Sequence, residues 1–221
     1  MDTIADMGGM QGMGSTKLND PFEGPFDEEW QKRAFAMALL SMRTSGTNLD
    51  TFRWALARQH PLDYLLDGYY GRWLNCAINL LTDSAIIAPG AVEARARKMM
   101  GEDVEEPPVP EPNKPDYKPT AAGSIRKIDD PPKFKVGDRV RAKLMSPAGH
   151  TRLARYVRGH TGVVRALHPA QVLPDTNAHF LGENAQHVYN VEFDSHDLWG
   201  PEAEKFTVNF DLYESYIEET V

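Results

Sequence analysis

Residues 102–132 hold eight prolines and eight acidic residues, most of them in the run EDVEEPPVPEPNKPDYKPT. Proline fixes φ, gives up its N–H donor and steers the preceding residue away from the helical region. No helix or central strand can therefore cross this run. Like charges extend it further, so it reads as an extended, poorly packed linker. The chain has to fold as what lies on either side. Upstream the apolar residues recur with a helical period, and downstream they alternate as in strands. The expected class is α+β, with an arm over 1–26, a helical domain over 27–101, the linker over 102–132 and a β domain over 133–221.

The arm carries the stretch MGGMQGMG, which has no period of its own. Two readings stay open: an unstructured tail, or an extended arm whose methionines make adaptable apolar contacts with a partner. From Asp27 the pattern turns helical. Asp27 is the expected cap, with Glu28 and Glu29 opposing the helix dipole. Trp30, Ala34, Met37 and Leu40 then form an apolar face. Thr47-Asn48-Leu49-Asp50 resembles a capping box for a helix over LDTFRWALARQ, which stops before Pro61. Pro61 can open the short helix PLDYLL. YYGRWLNCAINLLT is apolar around much of its girth and is expected to be buried. APGAVEARARKMMG ends at Gly101. Cys76, the single cysteine, lies in an apolar run and reads as a buried structural thiol.

The β domain comprises FKVGDRVRAKL, GHTGVVRAL, HVYNVEFD and FTVNFDLYESYIEE, which suggest a small closed barrel of five or six strands. Its charge is split along the sequence. Residues 135–165 hold eight Lys/Arg and one acid, whereas residues 166–221 hold one lysine and eleven acids. The two halves can pair as cross-strand neighbours. That leaves over GHTRLARYVRGHTG, residues 149–162, with three arginines and two histidines in 14 residues. Such a cluster calls for an anion.

Composition narrows the anion's identity. With 24 Lys+Arg against 32 Asp+Glu the net charge is -8, which disfavours general affinity for nucleic acid or anionic membrane but permits a local basic site. No apolar run approaches the roughly 20 residues of a membrane span. The start MDTIADMGGMQGMG lacks the features of a signal peptide, so the cytoplasm is the expected compartment. Six of the seven histidines (His150, His160, His168, His179, His187 and His196) fall in the β domain, none at metal-motif spacing. There is no GxSxG, phosphate loop or Cys-His dyad. No metal site is expected in this chain, and any reactive centre belongs to a partner. Two classes remain. FKVGDRVRAK followed by RGHTGVV matches the strand-turn-strand pattern of SH3-like, KOW-type barrels that bind ribosomal RNA, whose affinity would fall steeply with salt. The other class is an enzyme subunit.

Several stretches favour the second class. The sequence resembles nitrile hydratase beta subunits over nearly its whole length. DMGGMQGMG is similar to that family's D-x-G-G-x-x-G-x-G arm, and FDEEWQKRAFAM to its first helix. LDTFRWALARQHPLDYLLDGYYGRWL resembles its helical core. PPKFKVGDRVRAK, SPAGHTRLARYVRGHTG, the PDT of residues 174–176, HVYNVEF, DLWG and DLYESYIE follow in the family's order. The resemblance implies an SH3-like barrel after the helical domain. It implies hydration of nitriles to amides, a hydro-lyase activity, at a non-haem Fe(III) or non-corrin Co(III) held by the alpha subunit, two of whose cysteine ligands are oxidised. It implies an αβ heterodimer or (αβ)2 heterotetramer. By motif position, Arg53 and Arg152 hydrogen-bond those cysteine oxygens. Tyr69, Trp73, Leu49 and Ala38 fall near the substrate pocket and His150 at the interface, while Arg155 and Arg158 are expected in interface or intra-barrel ion pairs. Without the resemblance, Arg53 reads as a solvated helix arginine, and Tyr69 and Trp73 as core aromatics. Gly71-Arg72 departs from the family, which often has an acid or histidine there. A related family, thiocyanate hydrolase, divides the equivalent of this chain into two subunits.

Overall fold

A computed structural model describes residues 2–10, 12, 14, 15, 24–118 and 122–220. Met1 and Met13, two of the arm's methionines, lie outside the described residues. The chain divides into two compact units, residues 11–119 and residues 1–10 with 120–221.

The first unit is helical: α1 (Glu29–Ser45), α2 (Leu49–Ala57), α3 (Pro61–Leu66), α4 (Gly68–Asp83) and α5 (Ala91–Met99). The cap of α1 is Glu28, not Asp27, because Gln31 Oε1 reaches back to accept from the N–H groups of both, at 3.2 and 2.6 Å. α2 is capped one residue later than the capping-box pattern suggests. The Thr47 hydroxyl is engaged with Ser45 Oγ at 2.8 Å, so Asn48 Oδ1 accepts from Thr51 N–H at 2.9 Å instead. The face of α1 also differs from expectation. Its buried residues are the small Ala34, Ala38, Ser41 and Ser45, whereas Trp30, Met37 and Leu40 are exposed. Small side chains let α1 lie close along α4, and the two serine hydroxyls are satisfied by the helix's own carbonyls, Ala38 O and Ser41 O, at 2.7 Å. Ala38, Phe52, Ala55, Cys76 and Leu80 form the core, with Trp73 packed against it. Cys76 is fully buried, its thiol donating to Phe52 O at 3.3 Å, and burial pushes its pKa up, as befits a structural thiol.

The second unit is built on one antiparallel sheet: β1 (Arg139–Ala142), β2 (Thr161–Gln171), β3 (Gln186–Asp194), β4 (Thr207–Tyr213) and β5 (Ile217–Glu219). The order is β4-β3-β2-β1-β5, with β4 and β5 at its two edges. The expected closed barrel is thus an open five-stranded sheet among the described residues. β2 bends at two register shifts, between Val164 and Ala166 and between His168 and Gln171. The second contains Pro169, a residue that cannot donate to a ladder and therefore suits a bulge. Tyr189, Tyr216, Phe193, Leu153 and Leu212 fill the core.

The split charges do meet across strands: Arg165 pairs with Glu192 at 2.6 Å, and Arg141 with Glu218 at 3.9 Å. The proline-rich segment is better anchored than its composition suggests. Asn113 N–H donates to Ser84 O at 2.8 Å in the helical unit. In the sheet unit, Ile125 bridges Gln171, and the Arg126 guanidinium engages both Glu183 oxygens at 2.6 Å. Without a helix or strand of its own over residues 102–118, the segment leaves backbone groups available for such tethers.

Candidate functional site

The basic cluster lies on a loop without regular secondary structure, residues 149–154, followed by a 3-10 turn at Arg155–Val157. Most of its side chains point inward. His150, Thr151 and Leu153 are buried, while Arg152 is exposed. The loop is held by groups from two short helical turns, α6 (Pro174–Asn177) and the 3-10 turn Glu214–Tyr216. α6 supplies Asp175, and His179 follows it. His150 N–H donates to His179 Nε2 at 2.9 Å. Arg152 N–H donates to the Tyr216 hydroxyl at 3.1 Å, and that hydroxyl donates to Asp175 Oδ1. The Thr151 side chain joins the same pair. Gly149 lets His179 approach this closely, since a Cβ there would sit 2.5 Å from His179 Nε2 and displace that ring.

Burial raises the pKa of Asp175 despite the hydrogen bonds from Tyr216 and Thr151 that oppose it. Burial also raises that of Tyr216, and the neighbouring Asp175 carboxylate adds to the effect. The phenolic proton therefore stays on Tyr216. One hydroxyl thus accepts from the Arg152 backbone and donates to Asp175.

From the other side the loop meets the start of the chain. Asp6 Oδ2 accepts from Arg155 N–H at 2.8 Å, and Trp199 Nε1, at the end of α7 (Ser195–Trp199), donates to Gly9 O at 3.1 Å. The Arg158 side chain, only 4% exposed, is ion-paired with Asp2. Its Nε and Nη2 donate to Leu153 O at 3.3 and 2.8 Å.

The helical unit carries the other residues singled out from the sequence. Arg53 extends from α2 and is tethered to Asp50 one turn earlier, Nη1 to Oδ1, at 3.2 Å. Leu49, the first residue of α2, is exposed. Tyr69 opens α4 and is exposed. Its ring lies 5.6 Å from that of Trp73, which packs edge-on to Phe52 at 5.2 Å. Ala38 has no exposed surface, so it can act on a pocket only through the aromatic side chains of its cluster. The departing Arg72 lays its guanidinium over the Tyr64 ring, 4.4 Å from the centroid. Arg53 and Arg152 belong to different units.

Guanidinium groups are donors with no lone pair, so they suit oxyanions and cannot ligate a metal. Among the described residues no group of three or more His, Cys, Asp or Glu side chains is placed to hold a metal ion. No helix among them is long and apolar enough to cross a membrane. Four residues of the site escaped the sequence reading: Asp2, Asp6, Asp175 and Tyr216. Asp6, Asp175 and Tyr216 had a signal, since they lie in the stretches DMGGMQGMG, PDT and DLYESYIE, but nothing local announced the fold that brings Asp175 to Tyr216.

Comparison with known proteins covers both units. Residues 1–121 match the family described as "Nitrile hydratase beta subunit, N-terminal", and residues 123–219 match "Nitrile hydratase beta subunit, C-terminal". A cobalt-containing nitrile hydratase subunit beta from Pseudonocardia thermophila is 38% identical over 99% of this chain and 96% of its own. A low-molecular weight cobalt-containing nitrile hydratase subunit beta from Rhodococcus rhodochrous is 34% identical over 98% and 99%. Thiocyanate hydrolase subunit alpha from Thiobacillus thioparus is 36% identical, over 39% of this chain and 71% of its own.

Proposed function

Since this chain belongs to the nitrile hydratase beta-subunit family, we propose that it completes the active site of a nitrile hydratase whose metal is held by an alpha subunit. The reaction adds water across a nitrile C≡N bond to give an amide. The observation that carries the reading is the exposed Arg152, on a loop whose backbone is pinned by hydrogen bonds with Tyr216 and Arg158, in a chain matching the family from end to end. The metal is Co(III) or Fe(III), and the names of two cobalt-containing relatives support cobalt. Bound in the partner, it supplies Lewis-acid activation of the nitrile or of water.

This chain's residues do the rest. The guanidinium groups of Arg152 and Arg53 donate to anionic oxygens on the partner's oxidised cysteines. In a nearly dry interface such paired, charge-assisted bonds fix the orientation of the metal's ligands. Asp50 holds Arg53 in place for that role. Tyr69 and Trp73 supply an aromatic wall that excludes water, and the Tyr69 hydroxyl is available to the substrate or to a serine of the metal loop. The exposed apolar residues of α1 and α3, among them Met37, Leu40, Leu62 and Leu66, support a protein partner on the helical unit. The strand order, with the 3-10 turn Glu214–Tyr216 between β4 and β5, supports the SH3-like description of the sheet unit. His150, buried here, supports the interface from beneath. We place the complex in the cytoplasm as an αβ heterodimer or its dimer.

The test is copurification with the alpha subunit followed by metal analysis and nitrile turnover. About one cobalt or iron per αβ pair, with turnover, is expected. A metal-free complex without turnover would overturn the reading. Arg53→Lys and Arg152→Lys should each leave assembly intact and lower kcat by roughly ten- to a thousandfold, as for lost preorganised donors. Wild-type turnover in both variants would remove the arginines from the site.

A further inference from the structure

The Arg158 guanidinium joins three separate stretches of chain. Nε and Nη2 both donate to the carbonyl of Leu153, Nη1 meets Asp2 of the arm, and Nη1 also lies 3.4 Å from Ser146 Oγ. The side chain is 4% exposed, and a charge buried to that degree persists only when paired and hydrogen-bonded. Asp2 provides the opposite charge. Burial tends to raise its carboxyl pKa, but the hydrogen bond and charge of Arg158 outweigh this and hold it below the usual aspartate value. Lysine could not do the same, because a single ammonium cannot present parallel donors to one carbonyl while reaching the arm.

What the clamp grips is informative. Arg152 N–H is held by Tyr216, and the carbonyl of the next residue, Leu153, is held by Arg158. The backbone carrying Arg152 is thus fixed on both sides, which determines where its side chain leaves the loop. Asp6, accepting from Arg155 N–H, extends the same grip by one turn.

We propose that Arg158 and its counter-ion Asp2 are positioning residues for Arg152, so that the first residues of the chain set the geometry of the site loop. This rests on the reading of Arg152 given above. Neither residue touches substrate or metal; both act through the backbone at 152–153.

The test uses the assembled αβ complex and two readouts. Asp2→Ala should raise amide exchange at residues 152–155 by about tenfold or more, with the β2–β3 ladder unchanged. It should lower kcat by roughly three- to tenfold with KM unchanged, as for a displaced catalytic-site donor. Combined with Arg152→Lys, it should add no further loss, because both changes act at the same group. Asp2→Asn, which keeps an acceptor oxygen but loses the charge, should fall between wild type and Asp2→Ala, and it carries the test if the alanine variant does not assemble. Wild-type exchange at 152–155 overturns the clamp. Faster exchange with unchanged kcat, or with losses that simply add to those of Arg152→Lys, overturns its service to Arg152. Wild-type turnover in Arg152→Lys alone defeats the preceding reading of the site instead, while exchange still judges the clamp.

Discussion

Tyr216 has a single hydroxyl that both accepts from the Arg152 backbone and donates to the partly buried Asp175 carboxylate. Tyr216→Phe leaves that N–H and Asp175 without this partner. The expected cost is about 1–3 kcal/mol, read as a lower denaturation midpoint with an unchanged m-value. Gly162 is constrained differently. A Cβ there would lie 2.6 Å from the Glu192 carbonyl, which is backbone of β3 and cannot rotate aside. Gly162→Ala should therefore destabilise by about 1–3 kcal/mol, as overpacking does. The pairing of Asp2 with Arg158 has a pH signature. The folded pKa of Asp2 is depressed, so its contribution is fully present above the unfolded value of about 3.9. It is lost as pH falls through the lower folded value. Amide protection at 153–158 should thus decline in acid ahead of the sheet. Arg53 and Arg152 could be singled out from the sequence because they occupy motifs of the family that it resembles. Asp2 was not, because its partner lies 156 residues away and a lone aspartate near a glycine-rich start carries no local pattern.

At the level of elements, periodicity, caps and Pro61 located the helices α1 to α5, and stretches rich in Val, Phe and Tyr between turn residues located the strands. The details they missed were settled by side-chain hydrogen bonds. α2 starts from Asn48 since Thr47 is already committed to Ser45. Asn48→Ala should accordingly cost about 0.5–2 kcal/mol, seen in thermal unfolding, whereas Thr47→Ala should cost less. α1 shows a different limit. Two stripes run along it, one of large apolar residues and one of alanine and serine, and the small stripe is the buried one. Hydrophobicity scores favour the large stripe, yet the close approach of α4 needs the small one. The short turns α6 and α7 went unread because helices of 4 and 5 residues have no period to detect. Whether the sheet closes was equally hidden, since edge pairing depends on strand curvature rather than on any single strand's pattern.

For the molecule as a whole, the exposed apolar residues of the helical unit are the counterpart of its buried alanines. Leu40→Asp should leave the melting temperature of the isolated chain unchanged and weaken copurification with the alpha subunit by at least about tenfold, since it alters surface and not core. A drop in melting temperature would show instead that Leu40 supports the fold. A surface of this kind also constrains supply. Copies made in excess of the partner would carry uncovered leucines and methionines into a crowded cell, where such residues attract chaperones, proteases and one another. Balanced translation of the two subunits, rather than the strength of any one contact, then becomes a condition for accumulating the enzyme at all.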